Sequence, residues 1–338
     1  MQVMILAAGR STRLGAIGTT LPKPLVPICG YPAIRFALEL CRRAGLLDIV
    51  VNLHHYGDRI GQVLGDGSAF GVRLRYSHEE TLLGTGGGLR KARSLFAPGP
   101  VLVMNGKVAA DVDLKAVLEA HRKAPSGTVG TLVLREDPHP ELWAPIGVDR
   151  TGMVLSMRGQ RSERTALGPE LPRMFTGIHV VEPELLDYLP EGVSDIVGDA
   201  YIPALLAGKR ISSLTIPGYF AEHSTPERYL EGNLALLAKP GLLPQAPGAL
   251  VGVDSGARVD ASAIVIPPVR IADGADVEGG ATVGPYVVVE SGARVAANAQ
   301  LSRTVVWAGA RAEGTLDYAV VMPSGVLAFE PESTNEKN

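Results

Sequence analysis

Very little in this chain could cross-link it, anchor it in a membrane or draw it to a polyanion. Only two cysteines, Cys29 and Cys41, occur in 338 residues. Two thiols are too few for a disulfide framework or a thiolate metal cluster, and both are expected to be buried and free. Positive charge is not in excess, since 32 Lys and Arg face 35 Asp and Glu for a net charge of −3. Nucleic acid is therefore not an expected partner, because a polyanion is held by a basic face. Any phosphate must be bound by a few local cations and backbone N–H groups. No apolar run approaches the ~20 residues of a bilayer-spanning helix, so no membrane is expected either. The apolar opening MQVMILAAG lacks a basic leader and passes straight into a polar Gly/Arg loop. That is the pattern of a buried first strand and not of a secretory signal; the expected location is cytoplasmic. What is present is a hydrophobic fraction of 46% with 20% charged residues, the composition of a soluble globular chain. The length is more than one hydrophobic core usually fills.

Up to about Ala238, short β-rich runs alternate with helical stretches. Strands are expected over 3–7, 49–53, 72–76, 101–104, 129–134 and 178–181, with helices over 33–44, 87–96 and 114–123. Near-continuous apolar strands alternating with helices predict an α/β domain with a Rossmann-like, mostly parallel sheet covered on both faces. Ligands of such sheets bind beyond the carboxyl ends of the strands, which singles out the loops after Ala7 and Met104. Residues 239–250 are rich in Pro and Gly and are expected to be a linker.

Beyond the linker the pattern changes. Aliphatic residues recur every six positions from Val253, Val259 and Val265 to Val295 and Leu301, with Trp307 continuing the series. Two positions before each sits Val or Ala, from Val251 and Ala257 to Ala299 and Val305. Neither a helix nor a hairpin has period six. A coil with three short flat sides does, each side burying one aliphatic residue with a small one near the corner. Gly256, Gly274, Gly280 and Gly292 fall at the turns between sides. The pattern resembles the hexapeptide-repeat left-handed parallel β-helix, and the handedness rests on that resemblance alone. The expected layout is an α/β domain over 1–238, the linker, the β-helix over 251–326 and a flexible tail over 327–338.

Directly after the first strand comes LAAGRSTRLGAIGTTLPKP, residues 6–24. A tight turn after a buried strand exposes backbone N–H groups able to cradle phosphates, and Gly9 lets main chain approach a ligand closely. Arg13 offers a bidentate cation and Lys23 a mobile point charge, while Pro22 and Pro24 stiffen the backbone around Lys23. This segment resembles the signature loop of the sugar-1-phosphate nucleotidyltransferases, L-A-A-G-x-G-T-R followed by P-K-P. The resemblance implies that main chain at Leu6, Ala7, Ala8 and Gly9 lines a nucleotide. It further implies catalytic roles for Arg13, holding the leaving β,γ-phosphates, and Lys23, bridging the α-phosphate and the sugar phosphate. Ser11 stands where the family prefers Gly, Ala16 where it has Pro, and Gly18 where it has Thr.

Three more segments are similar to the family's. EETLLGTGGGL, 79–89, resembles E-x-x-L-G-T-A-G-G-L and implies nucleotide contacts at Glu80, Gly86 and Gly87; the glycine run is expected to leave room for a flat base and to open a helix N-terminus. FTGIHVV, 175–181, resembles the strand whose Thr-Gly backbone, here Thr176 and Gly177, meets the sugar. GYFAEHSTPERYLEGN, 218–233, resembles G-Y-W-x-D-x-G-T-P-x-x-Y-x-x-A-N. The early segments look closest to N-acetylmuramate-1-phosphate uridylyltransferases, and the two-domain layout to mannose-1-phosphate guanylyltransferases.

The family binds Mg²⁺ with two aspartates, one in an N-G-D turn and one in the late segment. Here the turn reads Asn105-Gly106-Lys107, with Asn105 and Gly106 implied as nucleotide contacts, and Glu222 stands at the second position. A lysine cannot ligate Mg²⁺, which takes oxygen donors. Two aspartates with Mg²⁺ sum to zero charge, as do Lys107 and Glu222, so the expectation is an ammonium in place of the metal and a slow transferase. The alternative is that Lys107 turns to solvent and Mg²⁺ arrives on the triphosphate. Asp113 is expected as a helix N-cap, His54 and His55 as surface or packing residues, and residues 158–164 as a solvated loop; His223, beside Glu222, is the one histidine whose position singles it out for a test.

Expected partners are a nucleoside triphosphate and a sugar 1-phosphate, or an NDP-sugar. Further copies of the chain are expected through the β-helix. A rival reading is a non-catalytic nucleotide-sugar-binding subunit that assembles with an active paralogue. A molybdenum-cofactor nucleotidyltransferase fits the first loop but not Pro-Lys-Pro or the hexapeptides. An acyltransferase lacks a histidine base in the repeats.

Overall fold

The computed structural model describes residues 1–330. The chain divides into two compact units, one of Met1–Arg10 and Ala37–Phe220, the other of Ser11–Phe36 and the chain from Ala221 onward.

In the first unit, β1 (Gln2–Leu6) lies between β2 (Asp48–Leu53) and β4 (Val101–Asn105), parallel to both, and β3 (Arg73–His78) adds to β2 in the same direction. Val3, Met4, Ile5, Val50 and Leu102 are all inaccessible to solvent, which is why these strands are apolar on both faces. β5 (Thr128–Arg135) and β6 (Leu171–Val181) bring in the antiparallel part: β6 runs against β4 on one side and β5 on the other, and β7 (Arg210–Ile216) runs parallel to β5. The short strands Ile146–Val148, Val154–Met157 and Gln160–Arg161 extend the sheet as a meander. The parallel half directs the carboxyl ends of β1, β2, β3 and β4 to one edge.

Helix α1 (Ala33–Ala44) and helix α3 (Leu114–Lys123) have the bounds expected from sequence. The Asp113 carboxylate accepts from the amides of Lys115 and Ala116 at 2.9 and 3.3 Å, so it is the expected N-cap. Helix α2 (Gly84–Lys91) starts three residues earlier than expected and passes into a 3₁₀ turn, Ala92–Leu95. Low helix propensity disguised its glycine-rich first turn. Among the described residues no helix is long and apolar enough to cross a membrane.

The second unit holds the hexapeptide repeats as coils of a parallel β-helix. Three sides of six residues give an 18-residue offset between neighbouring coils. Val253 pairs with Ile271 and Ile271 with Val289; Val259 with Val277 and Val277 with Val295; Val265 with Val283 and Val283 with Leu301. The small positions Ala275, Ala281, Ala293 and Ala299 are 1% exposed or less. At one corner Gly274, Gly292 and Gly309 stack with φ of +74°, +72° and +74°, each amide donating to the glycine carbonyl of the coil before.

The period breaks after Leu301. Val289 pairs with Val306, and Val295 with Ala312, so one residue is lost between Leu301 and Val305. Trp307 therefore does not continue the interior series; Val306 does. Trp307 turns out of the coil, and its indole N–H donates to the Tyr229 hydroxyl at 2.8 Å. Tyr229 belongs to α4 (Pro226–Ala238), which packs on the strands Gln300–Val306 and Thr315–Met322. Strand Gly325–Ala328 pairs antiparallel with Thr315–Met322, so regular structure reaches Ala328. The expected tail from residue 331 lies outside the described residues.

Candidate active site

The edge of the first unit's sheet is organised by two buried polar side chains that the sequence reading did not single out. Asn52, at the end of β2, accepts the Ala7 amide at 2.8 Å and donates to Glu79 at 2.7 Å. The other Glu79 oxygen accepts the Leu83 amide at 3.0 Å. Glu79 is 5% exposed, whereas Glu80, the residue picked from sequence, points to the surface. The Asn52–Glu79 pair thus ties the turn after β1, the end of β2 and the start of α2 into one frame. The only sequence signal for it was a polar residue closing an apolar strand.

Ala7 and Ala8 are buried, Leu6 is half-buried, and Gly9 is exposed with open space where a Cβ would stand. The Gly106 amide donates to the Leu6 carbonyl at 3.0 Å, bringing the Asn105-Gly106-Lys107 turn beside the first loop; Lys107 is half-buried there. β6 carries an irregularity between Phe175 and His179, and at it Gly177 takes φ +76° against Asn105, whose amide nitrogen a Cβ would overlap. The Thr176 hydroxyl is spent inside the sheet, donating to Val133 O at 2.7 Å and accepting from the Ile178 amide.

The glycine run is closely packed on the side its Cβ atoms would face. A Cβ on Gly86 or Gly87 would run into Leu189, Gly192 or Ser194, and one on Gly88 would lie 2.7 Å from Glu79 Oε1. The amides of Gly86 and Gly87 both donate to Ser194 O. The side on which a Cβ would stand is filled by chain, so the packing of 189–196 on α2 requires glycine at 86 and 87. Residues 158–164 are likewise not a freely solvated loop: Arg158 pairs with Asp195, Arg161 with Glu170, and Arg164 donates to Gly208 O. His54 Nδ1 donates to the Glu79 carbonyl at 3.0 Å, and His55 lies against Tyr56; both are packing positions.

The second unit holds the two cations. Ser11 adopts φ +61°, the left-handed conformation for which the family uses glycine. Its hydroxyl accepts the Lys23 amide at 2.9 Å, so the side chain that costs strain also fixes the lysine's backbone. A Cβ on Gly18 would overlap the Ser11 carbonyl and approach Ser11 Cβ at 3.0 Å, so two departures from the family pattern go together. Arg13 is exposed, and its guanidinium lies 3.7 Å from the Glu222 carboxylate.

His223 repeats this logic. It is 3% exposed, burial lowers its pKa to about 4, and neither ring nitrogen has a hydrogen-bond partner among the described residues. A Cβ on Gly232 would overlap the imidazole; the family pattern has alanine at that position. The ring is a packing group whose room comes from Gly232.

The donor set does not suit a divalent ion held by two carboxylates. Lys107 brings an ammonium instead of an oxygen, and Glu222 shares its charge with Arg13. Among the described residues no group of three or more His, Cys, Asp or Glu is placed to hold a metal.

Comparison with known proteins places the chain among relatives. Residues 2–194 match the family model described as nucleotidyl transferase. A UTP–glucose-1-phosphate uridylyltransferase of Synechocystis sp. is 32% identical over 279 residues, covering 78% of this chain and 70% of that protein. An N-acetylmuramate alpha-1-phosphate uridylyltransferase of Neisseria meningitidis is 36% identical over 57% of the chain and 80% of its own length. A mannose-1-phosphate guanylyltransferase of Mycobacterium tuberculosis is 28% identical over 82% of the chain and 76% of its own. The chain belongs to the nucleotidyl transferase family, among sugar-1-phosphate nucleotidyltransferases.

Proposed function

We propose that this chain transfers a nucleotidyl group from a nucleoside triphosphate to a sugar 1-phosphate, slowly, with Lys107 supplying the positive charge that a metal supplies elsewhere in the family. A sugar phosphate oxygen attacks the α-phosphorus, the bond from it to the bridging oxygen breaks, and pyrophosphate leaves with the negative charge. Arg13 receives that charge, and Lys23 steadies the α-phosphate and the incoming phosphate. Main chain from Leu6 to Gly9, with Asn105 and Gly106, holds the nucleotide; Glu80, Gly86 and Gly87 are assigned to it as well. Main chain at Thr176 and Gly177 meets the sugar. The observation that carries the reading is Lys23, anchored through its amide on Ser11 in the same loop as Arg13.

A monovalent cation stabilises a phosphoryl transition state less than an ion bridging two phosphates, and Glu222 competes for Arg13. We therefore assign turnover to residues 1–238 at a reduced rate, and self-association to the β-helix over 251–326, in the cytoplasm. Lys107 in an aspartate's place also favours a second reading, a non-catalytic nucleotide-sugar-binding subunit assembled with an active paralogue.

Pyrophosphate release across a panel of triphosphates and sugar 1-phosphates, with and without Mg²⁺, separates the two, read beside thermal shifts with the same ligands. Slow release is expected from the wild type, and Lys107→Asp with Glu222→Asp is expected to raise it and make it Mg²⁺-dependent. Binding without turnover selects the second reading. Mg²⁺-dependent release by the wild type at an ordinary enzyme rate, roughly 10 s⁻¹, contradicts the charge replacement.

A further inference from the structure

The family's phosphate cations sit on a loop that, in this chain, is gripped by the β-helix. Strands Pro27–Ile28 and Tyr31–Pro32 form a hairpin whose two-residue tip is Cys29, φ +46°, and Gly30, φ +93°. Such a tip needs left-handed residues at both positions; glycine takes that conformation freely and cysteine only under strain, so something must hold it. The Cys29 amide donates to Asn233 Oδ1 of α4 at 2.8 Å, and the Gly30 amide to Glu290 Oε1 at 3.1 Å. Glu290 follows the strand Val287–Val289 of the β-helix and is 6% exposed. From the tip the hairpin runs straight back to the lysine: Ala33 N donates to Val26 O at 3.0 Å, and Val26 N to Lys23 O at 3.2 Å. Ser11 holds the Lys23 amide from the other side.

We propose that Glu290 is a positioning residue for the transfer, fixing the Cys29–Gly30 turn on the β-helix so that Lys23 keeps a single place. This rests on the transfer reading above. The groups facing Glu290 are Arg270 from the preceding coil, Cys29 from the hairpin and Tyr229 from α4. Arg270 is itself clamped to Asp254 by two bonds of 2.6 Å and lies beside Tyr31. Burial raises the Glu290 carboxyl to about 7 against the Gly30 amide and Arg270. A carboxyl buried at that cost to its charged form, on the one amide that terminates the lysine's hairpin, is placed for control of the loop rather than for the core.

The test compares Glu290→Gln, which keeps an acceptor, with Glu290→Leu, which does not. Amide hydrogen exchange over residues 23–33 is measured at one pH, and the dissociation constants of a triphosphate and a sugar 1-phosphate are measured beside it. Expected for Glu290→Leu is about tenfold faster exchange in that segment, the loss of a bond worth about 1.4 kcal/mol. Binding of the sugar 1-phosphate and of the triphosphate, which share Lys23, should each weaken about fivefold; Glu290→Gln should restore both. Unchanged exchange in Glu290→Leu overturns the proposal, and so do wild-type affinities for both ligands or faster exchange spread over the whole β-helix, which marks general destabilisation. A wild type that binds neither ligand overturns the transfer reading instead, and the exchange result still decides whether Glu290 holds the hairpin.

Discussion

The edge of the first unit's sheet and the β-helix of the second both depend on glycine, but for opposite reasons. In the β-helix, Gly274, Gly292 and Gly309 repeat one corner coil after coil, and each answers only to its own turn. At the sheet edge, Gly86, Gly87, Gly88 and Gly177 each meet a different neighbour brought from far along the chain. The first arrangement is periodic and local; the second is aperiodic and answers to tertiary contacts. A solenoid is therefore written in the sequence as a rhythm, while a binding edge is written as exceptions.

The largest effect should separate an inner coil from the first one. Val283→Asp places a charge where the side chain is fully buried and should cost upward of ~4 kcal/mol or abolish folding. Val253→Asp, at 48% exposure, should cost under ~0.5 kcal/mol. Denaturant unfolding of both variants checks this, and equal losses would mean that the first coil is covered by something else. At the sheet edge, Gly177→Ala forces a Cβ onto Asn105 at φ +76° and should cost ~2–3 kcal/mol. Gly9→Ala, with open space beside it, should leave the melting temperature alone and weaken only nucleotide binding. A Gly9 variant that melts early would place that glycine with the packing ones.

A double-mutant cycle sharpens the coupled departures. Gly232→Ala should destabilise by ~1–2 kcal/mol through the imbedded imidazole, and most of that should return in the His223→Ala background; additive effects would show the two positions to be independent. Smaller again are the pH effects. Burial holds His179 at about 3, below its unfolded value, so its contribution is present above pH ~6.5 and is lost as pH falls toward 3. Glu290 has the opposite sense: its raised folded pKa favours the native state at low pH, and that contribution is lost as pH rises toward 7. Stability curves of wild type and Glu290→Gln should therefore converge on acidification and differ most near and above pH 7. The reverse order would assign the buried proton elsewhere.

Much of the fold was legible because its signals are local or periodic. The bounds of α1 and α3, the central strands and the 18-residue coil all follow from spacing and capping. Trp307 was misplaced because a repeat of six cannot announce a single missing residue. The buried role of Glu79 was not legible because which of two adjacent carboxylates turns inward depends on Asn52, 27 residues away. The packing of Gly86 and Gly87 was not legible because the neighbours that require them, around Ser194, lie more than a hundred positions downstream. In Ser11 with Gly18, and His223 with Gly232, each departure made sense only beside its partner. Lys107 with Glu222 is proposed as a third such pair, joined by charge instead of volume.

The account rests on a triphosphate lying over the tip of β1 with Arg13 and Lys23 as its cations. The direct measurement is the triphosphate dissociation constant of Arg13→Ala and Lys23→Ala by titration calorimetry. Losses of about tenfold or more for each, with melting temperatures unchanged, are predicted. Affinity equal to wild type in both variants would contradict it.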